Sequence, residues 1–412
     1  MSAAISTKPD RTVVLAVIVA ALGYLVDIYD LILFSVVRAP SLLGIGVAEG
    51  DVLQVGVRLI NFQMIGMLVG GVLWGALGDR RGRLSVLFGS ILMYSLANIA
   101  NGFVHDVETY AWLRLIAGVG LAGELGAGIT LVSEMLPASK RGIGTTVIAG
   151  VGICGAVIAV LVSWVVNWRV AYWIGGGMGL VLLMLRVGVL ESGIFQNRKE
   201  SRIARGNFLA LFSSKARARR YIAVVLAGLP IWFAVGILVT LAPDISGPNG
   251  LQMTPAPAVG TAVLMIYSGL AVGDFASGAI SQVWKSRKRV LFTFILANAV
   301  AIGAYFTIGA TSVTAFHTCV FLLGVANGYW AIFVTVATEQ FGTNLRATAA
   351  TTAPNFVRGA LVPMNMAFLA LTASFGPVGA ALIIGSVVAV VAFVAVFGIE
   401  ETFGKDLDYL EE

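Results

Sequence analysis

The sequence predicts an all-helical membrane protein whose chain crosses the bilayer twelve times, in two similar halves of six helices. Three observations support this prediction: an apolar composition, apolar segments that recur along the chain, and motifs that repeat after about half its length. Of 412 residues, 58% are hydrophobic and 12% are charged, whereas soluble domains carry about 25% charged residues. A soluble fold of this composition would expose large apolar patches, and a disordered chain would need far more charge.

The apolar segments give the expected helices in order, because about 20 apolar residues span a bilayer as a helix. The segment after Val13 lacks a convincing cleavage site, so we expect a first membrane helix here and not a removed signal peptide. Eleven more segments follow, separated by charged or Pro/Gly-rich stretches. The predicted helix centres are Gly23, Leu68, Ile91, Gly120, Gly152, Met178, Leu229, Gly269, Leu296, Leu323, Leu361 and Val388.

The basic residues predict how these helices are oriented. Lys and Arg cluster before the first helix and after each even-numbered helix, whereas the stretches 42–51, 102–108 and 243–257 contain neither. Cytoplasmic loops carry an excess of Lys and Arg, so we expect an inner-membrane protein with both termini in the cytoplasm. The formal charge of +6 then reflects topology, and no nucleic-acid partner is expected.

Three motifs repeat with a displacement of a little over 200 residues, which predicts two homologous halves. They are GALGD at 75–79 with GAISQ at 278–282, Glu134/Arg141 with Glu339/Arg346, and LES at 190–192 with EET at 400–402. The predicted organisation is an N-terminal half at 1–190, a cytoplasmic linker at 191–218 and a C-terminal half at 219–412.

The repeated motifs resemble those of the major facilitator superfamily over essentially the whole chain. GALGDRRGR at 75–83 looks like the signature between the second and third helices of that superfamily. RLIAGVGLAGE at 114–124 is similar to the fourth-helix pattern of its sugar-porter and metabolite:proton symporter branches. LRATA at 345–349, with the following Asn355 and Arg358, resembles the eleventh-helix entry of its aromatic-acid:proton symporters. The resemblance implies alternating access between the two halves.

Charged residues inside the apolar segments are candidates for proton coupling, because a charge at the bilayer centre is costly and rarely decorative. Asp27 and Asp30 are three residues apart on the first helix and so share one face. Their mutual repulsion and their desolvation both oppose ionisation, which suits a reversible proton carrier. Glu124 and Asp274 are further proton-coupling candidates. The alternative is that these groups form structural ion pairs.

Basic residues inside the second and fourth helices are candidates for binding an anionic substrate. Arg114 is the main candidate and Arg58 the second. Arg358 is either a ligand in the cavity or a charge at a helix end, and the second interpretation is favoured. Polar and aromatic residues in the apolar segments suggest a cavity lining. Tyr24, Gln63 and Asn327 are retained from a wider set that also contains Tyr29, Asn61, Trp232, Tyr267 and Tyr329.

Charged residues at the cytoplasmic helix ends are predicted to form a latch. In the superfamily, such pairs hold the outward-facing state, although each exposed pair contributes only about 1 kcal/mol or less. The predicted gating residues are Asp79, Arg80, Arg83, Glu134, Arg141, Glu191, Glu339, Arg346 and Glu401.

These observations predict a secondary active transporter, most simply a proton-coupled symporter of a small organic anion such as a carboxylate. The competing interpretations are a proton-coupled exporter of cationic or amphipathic compounds, a metal-ion carrier, and a receptor without transport activity. No phosphate-binding Gly-rich loop or nucleophile triad is present, so we expect no enzyme and no cofactor. Two Cys and two His predict no bound metal. The expected partners are a small-molecule substrate, protons and the lipid bilayer, and the expected state is a monomer.

Overall fold

The computed structural model describes residues 11–81, 83–124, 138–191 and 208–405, and residues 409 and 411. The described part of the first half contains six long helices. They are α1 (Arg11–Gly44), α2 (Val52–Arg81), α3 (Arg83–Asn101), α4 (Val107–Leu121), α5 (Ala138–Val165) and α6 (Trp168–Glu191). The helices are separated by short turns. At one such turn, the Asp106 side chain accepts a hydrogen bond of 2.8 Å from the Thr109 amide and caps α4.

The second half repeats this arrangement, with irregularities inside three of its helices. Its helices begin with α7 (Lys215–Phe233), which continues into a π-helical turn, Ala234–Val239. They go on with α8 (Val259–Trp284), α9 (Arg287–Thr307) and α10, which has two pieces, Val313–Asn327 and Trp330–Glu339. The helix α11 (Thr343–Gly359) runs on into Leu361–Val396, which Gly376 divides at φ +67°. The part before Gly376 extends α11, and the part after it is α12.

Each of the twelve predicted helix centres lies inside one of these helical segments, so the predicted element order is confirmed. By length and composition, eight stretches of the described chain qualify as membrane-spanning helices, and the last of them, Asn344–Val396, contains both α11 and α12. The shorter apolar helices Val86–Asn101 and Gly150–Val165 belong to α3 and α5.

One face of α2 shows how the outside of the bundle is built. Ile65, Val69 and Leu73 recur every four residues, so they share a helix face, and all three are exposed. A stripe of this kind would be an unfavourable apolar surface in water but is suited to contact with lipid.

Glycines bring equivalent pairs of helices into backbone contact in both halves. A Cβ atom at Gly118 of α4 would overlap the carbonyl oxygen of Gln63 in α2. In the second half, a Cβ atom at Gly328 would overlap the backbone of Gly273 in α8. Small residues allow this close approach of membrane helices. The α2–α4 contact and the α8–α10 contact are therefore equivalent, as the sequence repeat predicts.

Polar side chains join the two halves near the end of α1 and between α2 and α11. Near the end of α1, Arg38 forms an ion pair of 2.5 Å with Asp244, which follows α7. Arg38 is buried, and a hydrogen bond of 3.2 Å joins the hydroxyl groups of Thr240 and Ser35 beside it. Between α2 and α11, the Asn365 amide donates to the Asn61 side chain at 2.8 Å. The halves are thus in direct contact at this end of the bundle.

Candidate functional site

A small cavity lies where helices of both halves meet. Its volume is about 30 Å³, which is room for about two water molecules. An organic substrate needs more space, so the structure has this site in a contracted form. The aromatic and charged residues of its lining are Tyr24 from α1, Trp232 from α7, Tyr267 and Asp274 from α8, Trp330 from α10 and Arg358 from α11.

Arg358 is the basic residue of this lining, and it is 1% exposed. Its guanidinium carbon lies 5.6 Å from the centre of the Trp232 ring and 5.8 Å from that of Trp330. Its Nε and Nη1 atoms are buried and make no hydrogen bond to any residue that the structure describes. A buried guanidinium with unused donors is suited to bind a carboxylate, whose two oxygens match its planar fork. Of the two interpretations of Arg358, the structure favours the cavity ligand over the helix-end charge.

Asp27 and Asp30 are both fully buried, one helical turn apart on α1. The Oδ2 atom of Asp27 lies 3.9 Å from Nη2 of Arg358, so this carboxylate faces the second half across the cavity. Asp30 packs inside the first half, where its Oδ1 atom lies against Gly175 of α6. The two carboxylates that the sequence placed on one face therefore have different neighbours.

Arg114 lies beside Asp30 and outside the cavity lining. It is fully buried, and it donates a hydrogen bond to Oε1 of Gln63. Its guanidinium stands over the Phe34 ring at 4.9 Å and interacts electrostatically with Asp30. The structure thus brings Arg114 and Gln63 together, but inside the first half. Neither belongs to the lining of this cavity, so their predicted roles in substrate binding stay predictions.

Arg58 lies in a different environment from these buried groups. It is exposed, and it forms an ion pair of 2.6 Å with the exposed Glu108. An exposed pair of this kind contributes about 1 kcal/mol or less. The structure therefore does not support Arg58 as a substrate-binding residue. The reason is its position near the beginning of α2, only two turns after Val52.

Glu124 is buried, but it is not a free carboxylate. Arg186 of α6 contacts both of its oxygens, with Nη1 donating to Oε2 at 3.0 Å. A Cβ atom at Gly23 of α1 would overlap both side chains, so this ion pair packs directly on α1. Sequence reasoning missed Arg186, although its position inside the apolar run at 181–190 was a signal. The pair favours a structural role for Glu124 over proton coupling.

Two further candidates have contrasting positions. Tyr24 is 6% exposed and lines the cavity, as predicted. Asn327 is fully buried, and its amide donates to the carbonyl oxygen of Leu323 in the same helix at 2.8 Å. It does not belong to the lining, because its side chain folds back on its own helix. Trp330 belongs to the lining and was not identified from the sequence.

Much of the predicted latch falls outside what the structure describes. Glu134 lies outside the described residues, as do the side chains of Asp79, Arg80, Arg83, Arg141 and Glu191. The latch of the first half therefore stays a prediction.

The equivalent charges of the second half form a network at its helix ends. Glu401 accepts hydrogen bonds from Ser286 and from the backbone amide of Arg287 at 2.8 Å, and so caps α9. Burial opposes ionisation of Glu401, but these hydrogen bonds outweigh it and hold its pKa below the ordinary value. Glu339 accepts a hydrogen bond from Thr402 at 2.6 Å and lies 3.5 Å from Arg287. Arg346 lies at the beginning of α11, half-buried.

Comparison with known proteins assigns the family. The sequence model described as Major Facilitator Superfamily matches residues 12–360. The chain belongs to the major facilitator superfamily. The proton:xylose symporter XylE, solved with bound 6-bromo-6-deoxy-D-glucose, is a member with the same fold: the TM-score is 0.71, with 96% of this chain and 97% of that chain covered. At 17% identity this likeness concerns the fold alone.

Two bacterial members of the superfamily are more similar in sequence. The niacin transporter NiaP of Acinetobacter baylyi is 29% identical over 85% of this chain and 86% of its own length. The 3-(3-hydroxy-phenyl)propionate transporter of Escherichia coli is 27% identical over 77% of this chain and 78% of its own. The protein is thus an integral membrane transporter of the inner membrane, and not an enzyme. The predicted fold of twelve helices in two halves is confirmed.

Proposed function

We propose that this protein carries a small aromatic carboxylate across the membrane together with protons, and that Arg358 binds the carboxylate group. The observation that supports this most directly is the position of Arg358, buried between the two halves with unused donors. The rings of Trp232 and Trp330 on either side offer flat surfaces for a planar substrate. Niacin and 3-(3-hydroxyphenyl)propionate, which name the two relatives, each combine an aromatic ring with a carboxylate.

Asp27 couples the binding of the substrate carboxylate to the binding of a proton. Its carboxylate and a substrate carboxylate compete for the same guanidinium, because Asp27 already faces Arg358 at 3.9 Å. Protonation of Asp27 removes the competing charge, so a proton and a substrate bind together more readily than either alone. Ligands that favour each other in this way are thermodynamically linked. Asp30 and Arg114 interact electrostatically inside the first half, and neither belongs to the cavity lining.

The cavity chemistry argues against the competing transport functions. A cationic substrate would meet the positive charge of Arg358 at the wall of the cavity, and like charges there cost free energy. For a metal-ion carrier, no group of three or more His, Cys, Asp or Glu side chains in the described ranges is arranged to hold a metal ion. Because one chain contains the whole cavity, the proposal needs only a monomer.

The direct test is uptake by the purified protein in proteoliposomes. We expect radiolabelled benzoate or nicotinate to accumulate when the interior is more alkaline than the exterior, at an initial rate well above that of protein-free liposomes, which such weak acids also enter in their neutral form. A protonophore should abolish the accumulation. A sugar and an organic amine are the matched negative substrates. Accumulation of the amine, or carboxylate uptake that does not respond to the pH gradient, would contradict the proposal.

We also propose that both termini and the linker 191–218 lie in the cytoplasm, between halves at 1–190 and 219–412. The support is the basic residues of the linker and the loops without Lys or Arg on the other side. In a background without Cys154 and Cys319, we expect Glu49→Cys to be labelled by an impermeant maleimide in intact cells. Ser213→Cys should be labelled only after the cells are opened. Both positions are exposed, so equal labelling of both in intact cells would refute this orientation.

A further inference from the structure

Asp274 is an acidic group of the cavity lining that the coupling scheme above does not use. It lies on α8 and is 9% exposed, and it lines the same cavity as Arg358. Its Oδ1 atom accepts a hydrogen bond of 3.1 Å from the Ala331 amide. Its Oδ2 atom is buried and accepts no hydrogen bond from the described residues by distance and angle, although the backbone amide of Trp330 also interacts with this carboxylate. A buried acceptor without a donor is costly unless something supplies one.

The orientation of this side chain is fixed by the contact between α8 and α10. Gly273, the residue before Asp274, lies against the backbone of Gly328 at the break in α10. This contact places Asp274 beside the beginning of the piece Trp330–Glu339, where the Ala331 amide needs an acceptor. Because Oδ1 is held there, the direction of Oδ2 is set as well.

From this geometry we propose that Oδ2 of Asp274 accepts a hydrogen bond from the substrate, so that Asp274 determines specificity for carboxylates that carry a hydroxyl or amino group. The inference rests on the proposed function, because it takes Arg358 as the site of the carboxylate. Arg358 then binds the anionic end of the substrate, and Asp274 binds a donor elsewhere on its ring. A second carboxylate at that place would meet Asp274 as a like charge. Dicarboxylates are therefore excluded.

The test compares closely matched substrates in competition with labelled benzoate uptake. A hydrogen bond to a charged group contributes about 1.5–3 kcal/mol, which is roughly a tenfold to hundredfold change in affinity. We expect 3- or 4-hydroxybenzoate to compete at a concentration at least about tenfold lower than unlabelled benzoate. The methoxy analogue of the preferred isomer, which keeps the oxygen but lacks the donor, should lose this advantage, and terephthalate should not compete.

Asp274→Asn separates specificity from folding. The Asn carbonyl oxygen can still accept from the Ala331 amide, so the helix end stays capped, while a donor replaces Oδ2. We expect the preference for the hydroxylated isomer, measured as the ratio of the inhibitory concentrations of benzoate and its hydroxylated analogue in the same variant, to fall to within about twofold. The control is Ser277→Ala, one turn further along α8, where the hydroxyl donates to the backbone carbonyl oxygen of Asp274 and not to its carboxylate. This control should keep the preference.

The outcomes distinguish this inference from the function on which it rests. Equal competition by benzoate and both hydroxybenzoates in the wild-type protein would overturn the role of Asp274 and leave carboxylate transport intact. An unchanged preference for the hydroxylated isomer in Asp274→Asn, in protein that elutes and melts like the wild type, would also overturn it. Failure of every carboxylate to be taken up would overturn both proposals.

Discussion

Arg358→Gln is expected to abolish carboxylate binding and to lower uptake at least about thirtyfold. Removing one partner of a buried charge pair costs about 2–5 kcal/mol, and each 1.4 kcal/mol is about a factor of ten in affinity. The substitution also leaves Asp27 without its opposite charge at 3.9 Å. Arg358→Lys should recover part of the binding, because it keeps the charge but loses the planar fork. Quenching of the Trp232 and Trp330 fluorescence by added benzoate provides a binding assay that does not depend on transport.

Arg58→Gln is the matched comparison, since it removes an equal charge from the exposed pair with Glu108. We expect it to change uptake by less than about twofold, as is usual for an exposed ion pair. Equal losses in the two variants would mean that net positive charge, and not the buried position of Arg358, attracts the substrate. Near-normal binding in Arg358→Gln would remove the proposed carboxylate site.

Asp27→Asn is expected to abolish accumulation driven by a pH gradient while leaving substrate exchange at equal pH. The amide cannot take up or release a proton, so the variant has no proton to exchange for substrate movement. Exchange needs no net proton release and should continue. Carboxylate binding by the wild-type protein should weaken as the pH rises, because ionised Asp27 then competes for Arg358. Binding by Asp27→Asn should lose this dependence and match the wild type at low pH.

Asp30→Asn tests whether the second carboxylate takes part in coupling. Arg114 interacts electrostatically with Asp30. We expect Asp30→Asn to lose pH-driven accumulation as well. Its carboxylate binding should keep the pH dependence that Asp27 imposes. Asp106→Asn is the control, because Asp106 caps α4 outside the cavity. Uphill accumulation by the double variant of Asp27 and Asp30 would show that neither carboxylate carries the proton.

Asp27 and Asp30 could be identified from the sequence, but the side chains that they contact could not. A carboxylate inside an apolar run is visible without a structure, because its position alone is energetically costly. Its partner depends on how neighbouring helices are rotated and where they begin. The beginning of α11 is polar, so the sequence did not show where this helix begins. Arg358 in fact lies 15 residues after Thr343, about 22 Å along the helix.

Arg38 and Arg186 were not identified from the sequence, for a related reason. Both occur towards the ends of apolar segments, where basic residues usually report topology. Only the packing shows that Arg38 reaches Asp244 in the other half and that Arg186 binds Glu124. The large aromatic residues gave even less indication, because Trp330 differs from an ordinary packing residue only by the cavity beside it.

The side chains for substrate recognition and those for proton coupling are divided unequally between the two halves. Most side chains that would distinguish one substrate from another belong to α7, α8, α10 and α11, whereas Asp27, Asp30 and Arg114 belong to the first half. A chimera that joins α1–α6 of this chain to α7–α12 of a relative should therefore inherit its substrate range from one parent and its energy source from the other. Exchange of whole halves between relatives then requires that one carboxylate and one guanidinium still meet where the two halves contact each other.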